Sequence, residues 1–273
     1  MDAPTNHVKV LIFGQIVAIV GSQFGICVPR CMDDKYGKHI DKSRTDQPEG
    51  DDRDLEPGSL ESAESHVARS TGPSDPGDAS GEKFSAAFRA LLEWGETASL
   101  IRPEEVFDFF RRPPDGYGDE HQAWFDESSN RWFKATYPNR FGLGWGSGDS
   151  ATAGEYLSRL TYQNQYFADD IRLVALINSN QHLRILTSQP HIAGEAPSQE
   201  EIQNWFRELG FVRLVSEDRI AWFLASENLL IADAHEGNVI KTANGILVPI
   251  DLNIIKPRGD LRSWAVRQAN SEV

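Results

Sequence analysis

Asp233-Ala-His235-Glu236-Gly237-Asn238 has the form D-x-x-x-x-N, and a further aspartate, Asp251, follows 13 residues after Asn238. Between them lies Asn244-Gly245, the strongest short-range signal for a hairpin, so the loop and Asp251 are expected at one end of the same short ribbon. Asp251 sits inside the apolar stretch "ILVPIDLNII". A carboxylate there would be costly without a partner, which favours a working group over a bystander on a surface turn. Two carboxylates and an amide oxygen are the hard ligands that magnesium takes. Phosphoryl transfer asks for such positioned charges and little covalent chemistry. In that chemistry Asp233 is the expected catalytic base, Asn238 a metal ligand and Asp251 the main magnesium ligand. His235 lies between them with no second histidine at ligand spacing, which argues against a zinc centre.

A nucleotide donor also needs a cation on its phosphates and an acid to hold that cation. Lys134, in "RWFKAT", is a charge amid bulky strand residues and is the expected lysine. Glu155, 21 residues later and early in a helix, is its expected partner, with Glu120 or Asp169 as replacements if the helix register differs. Gly116-Tyr117-Gly118-Asp119-Glu120-His121 reads as a phosphate-covering turn that lacks its third glycine. "TSQPH" reads as a hinge whose backbone near Gln189 and His191 pairs with adenine. The glycine-rich stretch 142–148 reads as a flexible loop.

These groups need a scaffold. "FSAAFRALLEWGETASLI" has helical spacing, and "RPEEVFDFFRR" is expected to start a second helix on Pro103. "GYGDEHQAWFDESSNRWFKATYP" alternates as strands do, with a hairpin tip at Ser128-Ser129-Asn130. "TAGEYLSRLTYQNQYF" reads as a helix, and "DIRLVALI" and "HLRILTSQ" as two strands. "SQEEIQNWFRELG" is a helix with Ser198 as N-cap, Glu201 closing a capping box and Gly210 as the stop. The order is strands, a helix, two strands, a helical region, then a loop and hairpin, which is the order of a protein-kinase core.

The N-terminal part differs in character. Residues 8–28 are largely apolar and long enough to cross a bilayer; a membrane anchor, a buried or partner-docking element, or an extension without a role all fit. Met32 to Glu82 is rich in Asp, Glu, Ser, Gly and Pro and reads as a disordered acidic linker. The 273 residues carry a formal net charge of −14, which excludes non-specific nucleic-acid binding as a leading function. The two cysteines, Cys27 and Cys31, form neither a zinc pattern nor a disulfide scaffold.

The ordered motifs "GYGDEHQAWFD…RWFKATYPNRFG", "EYLSRL", "ILTSQPHIAGEAPSQEEI" and "IADAHEGNVI…GILVPIDL" resemble the serine/threonine/tyrosine-kinase-like domain of polyvalent proteins, which are large proteins of phages and conjugative elements. The resemblance runs from about Phe84 to Pro257. It implies an α+β, bilobal, protein-kinase-like fold with a reduced C-terminal lobe. It also implies ATP and magnesium as cofactors and a protein Ser/Thr/Tyr hydroxyl as acceptor. The departures are plain: Ile231-Ala232 replaces the usual H-R before Asp233, Leu252-Asn253 replaces F-G after Asp251, and no A-P-E segment follows. A small-molecule kinase of the aminoglycoside or choline type and a non-catalytic pseudokinase stand as alternatives. The expected organisation is an apolar segment over 1–30, a linker over 31–82, a kinase-like domain over 83–257 and a tail over 258–273. The kinase domain is expected in the cytoplasm, anchored at a membrane if residues 8–28 span one.

Overall fold

The computed structural model describes residues 9–12, 15–18, 59–72, 81–142, 144–145, 150–179, 182–216 and 219–271. It is an α+β protein built on two antiparallel sheets. The first sheet has five strands: β3 (Gly116–Tyr117), β4 (His121–Asp126), β5 (Arg131–Thr136), β6 (Arg172–Ser179) and β7 (His182–Pro190), in the spatial order β3-β4-β5-β7-β6. The tip of the β4–β5 hairpin falls where the sequence placed it. Asn130 takes a positive φ there, and the Asp126 carboxylate accepts hydrogen bonds from Ser128 and Ser129.

Helices α1 (Ser59–Thr71), α2 (Gly81–Thr97) and α3 (Ala153–Phe167) cover one face of this sheet. Leu60, Ala63, Val67, Leu91, Tyr156, Leu157, Leu173, Leu183 and Ile185 form the shared core. The other face is closed by an aromatic cluster of Phe107, Phe109 and Phe110 over Trp124 and Phe133.

Two expectations change here. "RPEEVFDFFRR" forms two short 3-10 turns, Glu104–Val106 and Asp108–Arg111, because its three phenylalanines turn onto the sheet as one cluster and no helical face is left to bury. Part of the expected acidic linker is the helix α1. Leu60, Ala63 and Val67 recur at helical spacing within the acidic composition and are all buried against α2 and α3, which offsets the ordering entropy that composition alone overlooks. The folded unit therefore reaches N-terminal to residue 83.

The second sheet contains β8 (Val212–Ser216), β9 (Arg219–Leu224), β10 (Leu229–Ala232) and β13 (Asn253–Ile255), in the order β13-β10-β9-β8. Helix α4 (Gln199–Glu208) packs Ile202 and Phe206 on one face, with Phe206 stacked on Trp222 at 5.0 Å between ring centroids. Its capping box between Ser198 and Glu201 is the one read from the sequence. Helix α5 (Gly259–Ser271) packs Ala265 and Ala269 on the other face. The expected C-terminal tail is therefore part of the folded core. A separate ribbon, β11 (Val239–Lys241) with β12 (Leu247–Pro249), turns through Ala243-Asn244-Gly245, with Gly245 at φ +77 where a side chain would be strained.

Helix α3 joins the two cores. Tyr156, Leu157 and Leu160 pack in the first, whereas Tyr162, Tyr166 and Phe167 pack against the second. Near the N-terminus the structure holds an antiparallel pair, β1 (Lys9–Ile12) with β2 (Gln15–Ala18), so residues 9–18 are not one continuous helix. The rest of the apolar segment lies outside the described residues, as do 31–58 and 73–80 of the linker and most of the 142–148 stretch. Among the described residues, no helix is long and apolar enough to cross a membrane.

Candidate active site

Asn238 closes a tight loop on Asp233. Its Nδ2 donates to the Asp233 carbonyl at 2.9 Å and to the Asp233 carboxylate at 2.8 Å. Asp233 needs that support: its φ is +62, a conformation that aspartate tolerates better than most side chains but still at a cost. Its carboxylate stays more than half exposed, 60%, free to meet an incoming group. His235 completes the loop. Its Nδ1 accepts from the Gly237 N–H at 3.0 Å, which leaves Nε2 as the proton-bearing nitrogen, 3.3 Å from the Asp233 carboxylate. The hydrogen bond to Asp233 raises the His235 pKa above the ordinary histidine value.

The β11–β12 ribbon carries this loop to Asp251. Val239 pairs with Pro249, and the Ile250 N–H donates to the Asn238 carbonyl at 2.8 Å, which sets Asp251 one residue beyond the loop. Burial would push the Asp251 carboxyl up. The Lys134 ammonium and the Arg159 guanidinium outweigh it and hold the pKa below the usual carboxylate value. Lys134 Nζ donates to the Ile250 carbonyl at 3.2 Å.

Gly116, Gly118, Lys134, Gln189, His191 and Asp251 line a single cleft of about 680 Å³, its mouth included. The structure thus brings Lys134, the Gly116–Gly118 turn, Gln189, His191 and Asp251 to one cleft. Ala123, Trp132, Ile192 and Ile240 supply apolar walls. Asp233 and Asn238 stand beside the cleft, joined to it through Ile250.

Glu155 takes a different place. Its carboxylate accepts from the Thr152 N–H at 2.7 Å and closes the capping box of α3. It borders a second, smaller cavity with Trp145 and Asn253, and not the cleft of Lys134. Local capping outcompetes the long-range pair because the N3 position already faces an orphan backbone donor. Of the two replacements, Glu120 is gripped by both ends of the Arg159 guanidinium. Asp169 accepts from Gln163 and Gln189, and burial raises its pKa.

The hinge also differs in detail. The His191 N–H donates to the Asn130 carbonyl at 3.0 Å, and Pro190 has no N–H to give. The Gln189 side chain is buried and donates to Asp169. His191 Nδ1 accepts from Trp132 Nε1 at 3.1 Å. His191 therefore borders the cleft with its ring, and its backbone donor is already engaged.

Sequence reasoning missed the inward face of α3. Tyr156, Arg159 and Gln163 recur at helical spacing and are all buried. Tyr156 Oη meets His121 Nε2 at 2.7 Å. Burial drives the His121 pKa down to about 4, so the ring is neutral at pH 7. Gln163 Oε1 accepts from the Leu252 N–H at 3.1 Å, and its Nε2 donates to Asp169 at 2.7 Å and to the Pro249 carbonyl at 3.3 Å. The available signal was a set of polar residues at i, i+3 and i+7 on the face of a helix that also had to be buried.

A family model described as the serine/threonine/tyrosine kinase found in polyvalent proteins matches residues 118–256, just over half of the chain. The chain belongs to this kinase family. The match takes in β4 through β13 and with them Lys134, Asp233, Asn238 and Asp251. Gly116, α1, α2 and α5 lie outside it. No curated protein and no solved structure matches the chain. In this kinase family member Lys134 sits on the five-stranded sheet, Asp233 and Asn238 on a loop and Asp251 just after the β11–β12 ribbon, and the second sheet with α4 and α5 fills the C-terminal half.

Proposed function

We propose that this protein is an ATP- and magnesium-dependent phosphotransferase that phosphorylates a hydroxyl of a protein Ser, Thr or Tyr. The observation that carries the reading is the single cleft lined by the Gly116–Gly118 turn, Lys134, the hinge at Gln189–His191, and Asp251. The five-stranded sheet with α3 and the four-stranded sheet with α4 and α5 correspond in this reading to two lobes with the nucleotide between them.

The residues present suit a magnesium ion. Asn238 is 2% exposed, and its Oδ1 is buried with no hydrogen-bond partner among the described residues, an oxygen that a cation would satisfy. Asp251, held ionised, is the second hard ligand. Magnesium supplies neutralisation of charge on the phosphates when bound. Lys134 gives the phosphates a fixed cation, and the glycine turn lets backbone approach them closely. The apolar walls around Trp132, Ile192 and Ile240 receive the base and exclude water. Asp233, exposed and fixed by Asn238 Nδ2, orients the acceptor hydroxyl and takes its proton.

His235 favours a second reading of the acceptor. The D-x-H-x-x-N loop, with the His235 ring bonded to Asp233, also suits a small-molecule kinase with the same donor site. A pseudokinase is disfavoured because the lysine, both aspartates and the asparagine are present together. The ATP requirement places the domain on the cytoplasmic side in either reading.

The test is transfer from labelled ATP by the full chain, with protein hydroxyl acceptors in one arm and aminoglycosides and choline in another. Labelled protein supports the first acceptor class, and a labelled small molecule with unlabelled protein overturns it in favour of the second. Transfer that persists undiminished in Asp251→Asn contradicts the site.

A further inference from the structure

Kinase chemistry calls for a helix that holds the nucleotide-binding groups in register, yet the glutamate expected to do so caps its own helix. On the same helix, one turn further, Arg159 is 5% exposed and its guanidinium reaches the turn over the cleft. Arg159 Nη1 donates to Glu120 Oε1 at 3.0 Å, and Nη2 to the other carboxylate oxygen. Gly142, at φ +88, passes so close that a Cβ there would clash with the Glu120 carboxylate. One residue along from Glu120, His121 bonds to Tyr156, three residues before Arg159 on the helix. The turn and α3 are thus stitched twice.

We propose that Arg159 and Glu120 are the positioning pair of this site. Arg159 holds the turn 116–121 over the cleft through Glu120. The pair takes the part expected of Lys134 and Glu155, with the signs exchanged between sheet and helix. It leaves the Lys134 ammonium on the ribbon side of the cleft, at Ile250. The Arg159 Nε–H is buried and has no partner among the described residues. The proposal rests on the nucleotide reading for its role, although not for its geometry.

Amide hydrogen exchange and calorimetric titration of magnesium-ATP on the full chain test it, with Glu120→Gln, Arg159→Gln and Arg159→Lys. Glu120→Gln is nearly isosteric and is expected to speed exchange over residues 116–121 by about tenfold while the centre of α3 keeps its protection. Arg159→Gln, and Arg159→Lys, which keeps the charge and loses the fork, are expected to loosen the turn likewise and, because the turn covers the cleft, to weaken magnesium-ATP several-fold. Unchanged exchange over residues 116–121 in Glu120→Gln overturns the tether. Unchanged magnesium-ATP affinity in all three variants overturns the positioning role. Should Arg159→Gln not fold, wild type against Arg159→Lys decides, since unchanged exchange over 116–121 there contradicts the fork. A wild type that binds no magnesium-ATP sinks the nucleotide reading, while the exchange comparison still decides the tether.

Discussion

Gln163 on α3 accepts a hydrogen bond from the backbone N–H of Leu252 at 3.1 Å, directly after Asp251 in the chain. The same side chain donates to the Pro249 carbonyl, so both flanks of Asp251 are held by one amide. Its third bond, to Asp169, ties this clamp to the corner between α3 and β6.

Gln163→Leu removes the clamp and leaves the Leu252 N–H and the Asp169 carboxylate short of partners. A buried unsatisfied polar group costs about 1–3 kcal/mol. The variant is expected to lose about 2–4 kcal/mol of unfolding free energy in urea, with faster amide exchange at Leu252 than at the centre of α3. A loss below about 0.5 kcal/mol would show that Gln163 is a spectator.

His121 gives the fold a defined weakness to acid. Its folded pKa, about 4, is depressed below the ordinary value of 6.5 by burial. A depressed pKa means that the unfolded chain takes the proton first. The stability contributed is therefore intact above about pH 6.5 and is lost as pH falls toward 4, reaching roughly 3 kcal/mol. His121→Gln, which can keep the bond to Tyr156, should show a shallower fall in urea midpoint between pH 7 and 4. Parallel curves for the two proteins would contradict this.

Asn238 fixes Asp233 through Nδ2, and in the proposed site its Oδ1 is offered to a cation. Asn238→Ala removes both and is expected to lower transfer by about 100-fold or more. Asn238→Asp restores an oxygen ligand but sets a carboxylate against that of Asp233. It should therefore regain magnesium-dependent nucleotide binding without regaining the transfer rate. Full activity in either variant, measured by steady-state transfer, would exclude these roles.

Helix α1 is predicted to be part of the folded unit. Leu60 is 2% exposed in the core shared with α2 and α3. Leu60→Ala should cost about 2–5 kcal/mol, the usual range for a buried leucine. A fragment starting at residue 83 should be destabilised by more than that, read by urea unfolding. A fragment as stable as the full chain would return α1 to the status of a linker.

The β4–β5 hairpin, α3, α4 with its capping box, and the Asn244-Gly245 ribbon were legible in the sequence, because each carries a local signal of period, cap or turn. Lys134 and Asp251 stood out because a charge inside an apolar stretch is costly, and the structure sets both at one cleft. Glu155 was misplaced because its neighbour Thr152 captures it, a contest between two hydrogen bonds that spacing cannot rank. Helix α1 was hidden by an acidic average around three buried apolar residues. Strands β8 to β10 were passed over although "RLV", "IAWF" and "LLIA" are rich in strand-forming residues. The Arg159–Glu120 pair joins residues 39 apart, and only the assembled sheet and helix bring them together.

The most direct measurement of the central claim is a calorimetric titration of ATP into the full chain, with magnesium and with EDTA, beside Asp251→Asn. Binding by the wild type in the micromolar to millimolar range common for enzyme substrates is expected, on the order of 1 μM–1 mM, and weaker without magnesium. Asp251→Asn is expected to lose the magnesium dependence. No binding by the folded wild type, or an equal response to magnesium in both proteins, would contradict a nucleotide site at Asp251.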